Sequence, residues 1–387
     1  MFLKTKRAKY RKSSKSANLL GTSQILLHAN RIFIGLLFVF SGFVKAVDPL
    51  GTVYKIEDYL IAFDGFFVEL TFLAFPAAIC LIALELLIGL NLLFKVWPKI
   101  TSWIALVFML FMTALTLYIA IYNPVSDCGC FGDALAISNW QTFFKDVVLL
   151  IMIIILLFGK KQLRPIYQSR FEWILVILFV VLSFGFMVYN LTHLPVIDFR
   201  PYKVGVNIQE AMSYPKDASR DVYEYIFTYE KDGVEKSFSL EEIPDSSWTF
   251  VSQETKLIAE GYQPPIQDFE ILTANYEDLT DEILEYEGIT YLIISYDLSL
   301  ASKKSMERIK SFVTHQRQQD QDVKIYALTA SSTDDIQDFK LKYNLDFPFY
   351  TTDPITLKTI IRANPGVMKL KAGTIKGKWN WRQIKNE

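Results

Sequence analysis

Apolar residues in the first half of the chain come in long uninterrupted blocks, whereas the second half mixes short apolar runs with polar stretches. Five blocks, at about 25–44, 71–94, 100–121, 141–158 and 171–191, are long enough to span a bilayer as helices. A hydrocarbon core of roughly 30 Å takes about 20 residues, because each unpaired backbone group in lipid costs several kcal/mol. Lys145 and Asp146 sit one turn inside the fourth block, near enough to its end for long side chains to reach the interface.

Beyond the fifth block the pattern changes. Residues 195–221 contain prolines and read as a stalk, and 222–229 and 234–240 flank the turn Glu230-Lys231-Asp232-Gly233 as a hairpin. Strand-like and helix-like segments then alternate: strands at 291–296 and 323–328, helices at 303–318 and 333–343, and a closing hairpin at 367–370 and 374–379. Two apolar strands separated by a helix predict a βαβ unit in a covered sheet. The expected organisation is a basic N-terminus (1–24), a four-helix membrane domain (25–158), a loop and fifth helix (159–194), a stalk with hairpin (195–260) and an α/β domain (261–387).

At 387 residues the chain is too long for one ordinary core. Its net charge of −1 averages an apolar half with an acidic half, as does its mean hydropathy of +0.24. Neither number identifies a partner. No basic stripe with interleaved aromatics appears, which argues against nucleic acid. No inverted repeat is visible either, which argues against a transporter.

Charge in the short flanks sets an expected orientation. Lys4, Lys6, Arg7, Lys9, Arg11, Lys12 and Lys15 precede the first block; Lys95 and Lys99 follow the second; Lys160, Lys161 and Arg164 follow the fourth. These fall on one side, and the opposite loops carry Asp48, Glu57, Asp58, Asp64, Glu69, Asp127 and Asp133. The pattern predicts a multi-pass protein of the cytoplasmic (inner) membrane, with the N-terminus inside and the C-terminal domain in the periplasm.

Of three cysteines, Cys128 and Cys130 form a Cys-Gly-Cys-Phe-Gly-Asp segment in the loop between the third and fourth blocks. On the extracytoplasmic side they can oxidise, and an i, i+2 disulfide closes a small strained ring that is easily reduced. A redox pair, an inert pair and a metal site are the three readings. Metal has least to work with, since two thiolates lack a nearby histidine. Lys45 and Asp48, at the same end of the first helix, could support a thiolate, or Lys45 could anchor the helix at the headgroups. Asp133 closes the cysteine segment. Cys80, inside the second block, reads as a packing residue. Arg31 and Glu85 fall at comparable depth in the first two helices and are expected to pair.

The Cys-Gly-Cys-Phe-Gly segment after the third of four helices resembles the MauE family. Arg31, Gly35, Phe40-Ser41-Gly42, Lys45 and Asp48-Pro49, with Pro76, Glu85-Leu86, Gly89 and Leu92-Leu93, resemble the related DoxX family. In the second half, Pro264-Pro265-Ile266-Gln267-Asp268-Phe269 and Asn364-Pro365-Gly366-Val367 resemble the entry segment and the cis-proline turn of TlpA- and peroxiredoxin-like thioredoxin folds. That likeness places Ser299 and Ser302 where the family has its two cysteines, so the domain has no dithiol chemistry of its own. A MauE/DoxX-like bundle joined to such a cysteine-less domain is similar to Bacteroidota proteins. The resemblance implies a membrane redox component in which Cys128 and Cys130 exchange electrons with an extracytoplasmic client protein or an electron carrier such as quinone. The alternative is a non-catalytic assembly factor or scaffold for periplasmic proteins.

Overall fold

The computed structural model describes residues 2–125, 128–135, 137–159, 165–259 and 261–384, with side chains from Gln24 onward. Asp127, Lys160, Lys161 and Arg164 lie outside the described residues, as do the side chains of the basic residues from Lys4 to Lys15.

The first half is a helical bundle of α1 (Phe2–Val47), α2 (Pro49–Ala62), α3 (Ala74–Phe94, entered through the 3-10 segment Gly65–Leu73), α4 (Pro98–Tyr122), α5 (Asn139–Phe158) and α6 (Ser169–Thr192). Among the described residues, five spans are long and apolar enough to cross a membrane: Gln24–Val47, Gly65–Phe94, Pro98–Tyr122, Asn139–Phe158 and Ser169–Thr192. They coincide with the five apolar blocks. α1 and α3 cross at close range. A Cβ on Gly89 would stand 2.7 Å from the backbone nitrogen of Val39, and one on Gly42 would stand 3.0 Å from that of Leu86. Small residues let backbones approach, and dispersion contacts then hold the helices where lipid offers no hydrophobic drive.

α2 is an extra helix where the apolar blocks mark only a loop. Asp48 caps it, accepting from the Gly51 amide at 3.0 Å, and Pro49 fills its first turn. Val53, Ile56 and Leu60 pack on Ala74 and Ala78 of α3. This spacing gives α2 one apolar face, too short to span lipid but long enough to lie against the bundle.

The C-terminal half begins with the short α7 (Ile208–Met212). A three-stranded antiparallel sheet follows, β1 (Val222–Lys231), β2 (Val234–Ser239) and β3 (Thr249–Ala259), in the order β2-β1-β3. The expected hairpin is therefore two-thirds of a sheet, and β3, mostly polar and exposed along its length, gave no alternation to mark it. The remaining elements are α8 (Thr280–Glu285), β4 (Ile289–Ile294), α9 (Lys303–Gln319), β5 (Lys324–Thr329), α10 (Thr333–Tyr343), β6 (Phe349–Thr351), α11 (Pro354–Ile360), β7 (Gly366–Lys371) and β8 (Thr374–Asn380). Five strands form a mixed sheet in the order β6-β5-β4-β7-β8, with β4, β5 and β6 parallel and β7 and β8 antiparallel. Alternate residues of β4 feed two cores: Leu292 and Ile294 pack on one face of the sheet, Tyr291 and Ile293 on the other. β4 is covered on both faces, which is why it reads as a continuous apolar run.

The stretch expected to be a stalk belongs in part to this core. Tyr202 and Ile208 are buried with Phe269 and Leu292. The amides of Gly205 and Ile208 donate to the carbonyls of Ile375 and Gly373 at 2.7 and 2.9 Å. The β1–β3 sheet is thus inserted in an α/β unit that starts near residue 198. Two isolated apolar anchors are too few for periodicity to reveal.

Candidate functional site

The loop between α4 and α5 carries Cys128 and Cys130 at the end of the bundle that faces the α/β domain. Gly129 (φ 64°) and Gly132 (φ 51°) both adopt left-handed backbone, and the Gly132 amide closes the turn on the Gly129 carbonyl at 3.0 Å. Side chains with a Cβ rarely take that conformation. The tight turn brings the two sulfurs to 2.9 Å as free thiols, both buried.

Helices from three sides fix the loop. From α2, the Tyr59 hydroxyl lies 2.6 Å from the Cys128 carbonyl and also hydrogen-bonds the Cys128 sulfur, so that its single proton is shared between them. From α1, the Ser41 hydroxyl lies 2.8 Å from the Cys130 carbonyl and 3.0 Å from Glu85 Oε2, either of which can take its single proton. Lys45 completes this group, with Nζ 2.6 Å from Glu85 Oε1 and 3.1 Å from Ser41 Oγ. From α5, Lys145 pairs with the buried Asp146 at 3.0 Å and stands 4.8 Å over the Phe131 ring. Thr116 of α4 donates to Asp146 at 3.2 Å. Two ion pairs therefore lie directly beneath the thiols.

The two thiols are not equivalent. The Cys130 thiol donates to the Cys128 sulfur and, with a further hydrogen bond from Tyr59 and the charge of Lys145, holds Cys128 below the ordinary cysteine range against the cost of burial. The same bond, burial and the Cys128 charge push Cys130 well up. Cys128 is the sulfur that loses its proton first.

The α/β domain sits on this loop. Arg362, between α11 and the Asn364–Pro365 peptide bond, which is cis, reaches Asp48 at 2.8 Å and Asp133 at 3.5 Å. Arg362 also lies over the Tyr54 ring, as does Lys358, with centroid distances of 5.2 and 4.5 Å. Tyr54 donates to Tyr296 at 3.4 Å, and burial raises the Tyr54 hydroxyl pKa. Next to Tyr296, Asn364 accepts from Ser295 at 2.9 Å and donates to the Asp297 carbonyl at 2.7 Å. Ser299 donates to Asp297 at 2.7 Å, and Ser302 caps α9 by accepting from the Ser305 amide. Arg362, beside the Pro365 turn, and Tyr296, ahead of the serine segment, thus touch the bundle end that carries the cysteines.

Several expectations change here. Arg31 and Glu85 do not pair: Arg31 donates to the carbonyls of Leu92 and, at 2.9 Å, Leu93, while Glu85 takes Lys45. The antiparallel register set by Gly35 against Leu93 and Gly42 against Leu86 puts Arg31 about three turns from Glu85. Lys45 is buried in that pair, so it does not reach the headgroups, and Asp146 turns inward with its lysine. Cys80 is exposed on the bundle surface, where any apolar side chain suits lipid as well as a core does. Lys45, Asp48 and Asp133 do gather around the cysteine loop. Ser41, noted above only within the DoxX-like segment, gathers there too, as do Tyr54, Tyr59, Arg200 and Arg362, which the sequence did not single out. Of these, Tyr54 and Tyr59 sit on the polar face of α2 and were concealed with that helix.

A cavity of about 320 Å³ opens beside the thiols. Its deep wall is apolar, with Leu60, Phe63, Leu81, Met112 and Leu115; its other end holds Lys45, Lys55 and Arg200 together with Asp48, Asp133 and the Cys128–Cys130 turn.

Residues 23–159 match the family model described as methylamine utilisation protein MauE. Residues 223–260 match a domain of unknown function (DUF8463), and that segment coincides with the β1–β3 sheet. Among curated proteins nothing matches the chain. Over its first half the chain is MauE-like, and with five membrane-length helices it is a multi-pass membrane protein.

Proposed function

We propose that the protein is a membrane thiol–disulfide redox component in which Cys128 and Cys130 interconvert between dithiol and disulfide. The observation that carries this reading is the 2.9 Å approach of two free sulfurs on a glycine turn, one of them favoured as thiolate. When the pair is oxidised, a client thiolate attacks it: the Cys128–Cys130 S–S bond breaks and a mixed disulfide forms. The second client thiol then displaces the mixed disulfide, leaving an oxidised client and two reduced cysteines. The pair is reoxidised by passing two electrons and two protons to an acceptor, an extracytoplasmic client disulfide or a quinone. The α/β domain is read as a thioredoxin-like cap, from its strand order and its cis Asn364–Pro365 turn. With Ser299 and Ser302 in place of cysteines it contributes contacts to the loop and no thiol. The reading places the cap and the cysteine loop in the periplasm and the N-terminus in the cytoplasm. Protease added to intact spheroplasts should then cut the tail beyond Pro195; protection until lysis would invert the orientation.

Acid-quenched thiol trapping in growing cells tests the redox cycle. Both oxidised and reduced Cys128–Cys130 should be present, with the ratio moving under reductant. A pair that stays reduced throughout contradicts it.

A second reading, an accessory factor that holds a client without chemistry, draws on the cap itself, which covers the thiols with a domain lacking its own. Replacing Cys128 and Cys130 together with serine separates the two, since a scaffold keeps its function and a redox component loses it.

A further inference from the structure

The redox reading leaves open how electrons leave the cysteine pair. Both thiols are covered: Cys128 is 7% exposed and Cys130 6%, beneath α2, and Arg362 ties the cap to Asp48 and Asp133 around them. The cavity nevertheless reaches them. Its far side is lined by Ala77 of α3 and Phe111 of α4, both of which are also exposed on the bundle surface, Phe111 at 64%. An adjoining surface groove between the same helices, lined by Leu84, Val107 and Phe111, extends this route along the membrane span. The chamber is therefore amphipathic from end to end. It is apolar toward lipid and polar beside the sulfurs, where Lys45, Lys55 and Arg200 line it together with Asp48 and Asp133. Its volume falls at the small end of the roughly 300–1,000 Å³ typical of small-molecule sites, enough for one substituted ring.

We propose that this chamber binds the head of a lipid-soluble quinone, which enters between α3 and α4 and oxidises Cys128 and Cys130. This deepens the redox reading and rests on it. The chamber calls for a ligand soluble in lipid, with a compact polar head that can take two electrons from adjacent thiols, and a quinone has all of these properties. The step balances: the two S–H bonds are lost, the Cys128–Cys130 S–S bond forms, and both electrons and both protons pass to the quinone, whose two carbonyl oxygens become the hydroxyls of a quinol. Lys45, Lys55 and Arg200 line that end with N–H donors, which can hydrogen-bond the quinone oxygens as they become electron-rich.

The test uses the full chain, reduced, freed of reductant and held in phospholipid nanodiscs. Decylubiquinone is added while quinone absorbance and free thiols are followed together. One quinone should be reduced per chain, with loss of both thiols. Leu115→Trp, which fills the deep wall, should slow the reaction by about tenfold or more. Tetrathionate, a small water-soluble oxidant, should still convert the pair fully to the disulfide in that variant, which also shows that the loop is intact. Ala77→Phe, placed at the lipid-facing opening, gives a second variant with the same expectation. If tetrathionate oxidises the thiols and decylubiquinone does not, the quinone site is wrong and the redox reading stands. If both variants react with quinone at the original rate, the chamber is not the site. Native mass spectrometry showing a phospholipid that both variants expel and quinone never displaces makes the chamber a lipid-tail slot and overturns the proposal. If neither oxidant removes the thiols, the redox reading itself falls.

Discussion

Arg362 and Asp48 are 314 positions apart in sequence, yet the guanidinium Nε lies 2.8 Å from one carboxylate oxygen and 3.1 Å from the other. This contact joins the two halves of the protein. Burial opposes the Arg362 charge, but Asp48, its hydrogen bonds and then Asp133 outweigh it and hold the guanidinium pKa above the ordinary value. Asp48 also caps α2, so a single carboxylate fixes both the helix that covers the thiols and the domain above it.

Arg362→Leu should therefore lower stability by about 3–5 kcal/mol, the usual cost of leaving one partner of a buried pair alone. Arg362→Leu with Asp48→Leu should recover much of that loss. Thermal unfolding of the purified chain in detergent measures both. In Arg362→Leu, maleimide should also reach Cys128 faster, because the cap is less firmly held.

Within the bundle, Lys45 and Glu85 are coupled and Arg31 and Glu85 are not. A double-mutant cycle of Lys45→Met and Glu85→Leu should show an interaction energy of about 1–3 kcal/mol. The cycle of Arg31→Leu and Glu85→Leu should be additive within about 0.5 kcal/mol. Coupling in the second cycle and none in the first would contradict the register of α1 against α3.

The unequal thiols predict a pH dependence. Cys128 lies below the ordinary cysteine range because Cys130 and Tyr59 donate to it. Below its midpoint the sulfur is protonated and unreactive, and above it the thiolate alkylates. Iodoacetamide should thus modify Cys128 with a midpoint lower than that of a free cysteine, and Cys130 only at much higher pH. Cys130→Ala removes the main donor and should shift the Cys128 midpoint upward; Tyr59→Phe should shift it the same way by less. Peptide mass spectrometry across a pH series reads each sulfur separately.

Gly129 holds a left-handed conformation, and a Cβ there would come within 2.9 Å of Lys55 Cγ. Gly129→Ala should cost about 1–3 kcal/mol through backbone strain. It should also separate the sulfurs, so that tetrathionate forms the intramolecular disulfide more slowly. Gly185→Ala, on α6 with open space around it, should change neither property.

The membrane spans were legible because lipid imposes one requirement, length without charge, that a sequence displays openly. The central strand β4 and helices α9 and α10 were legible for a related reason, since their burial patterns are regular. The cysteine loop announced itself through residue type. What stayed hidden depends on relations across the chain. Lys45 and Arg31 look alike as isolated charges in one apolar helix, and only the register set by Gly35, Gly42 and Gly89 decides which of them meets Glu85. Arg362 reads as an ordinary surface arginine until α11 brings it to Asp48. α2 was obscured because its apolar positions are diluted by Lys55, Glu57 and Asp58, the residues that make it amphipathic.

The most direct test of the account is a redox titration of the purified protein. The chain is equilibrated across glutathione buffers of graded potential, acid-quenched, and the peptide containing Cys128 and Cys130 is weighed. One two-electron transition is expected, with the reduced peptide losing two hydrogens as the buffer becomes more oxidising and regaining them on reversal. A peptide that keeps both thiols at every potential, or takes up only glutathione without forming the internal disulfide, would contradict it.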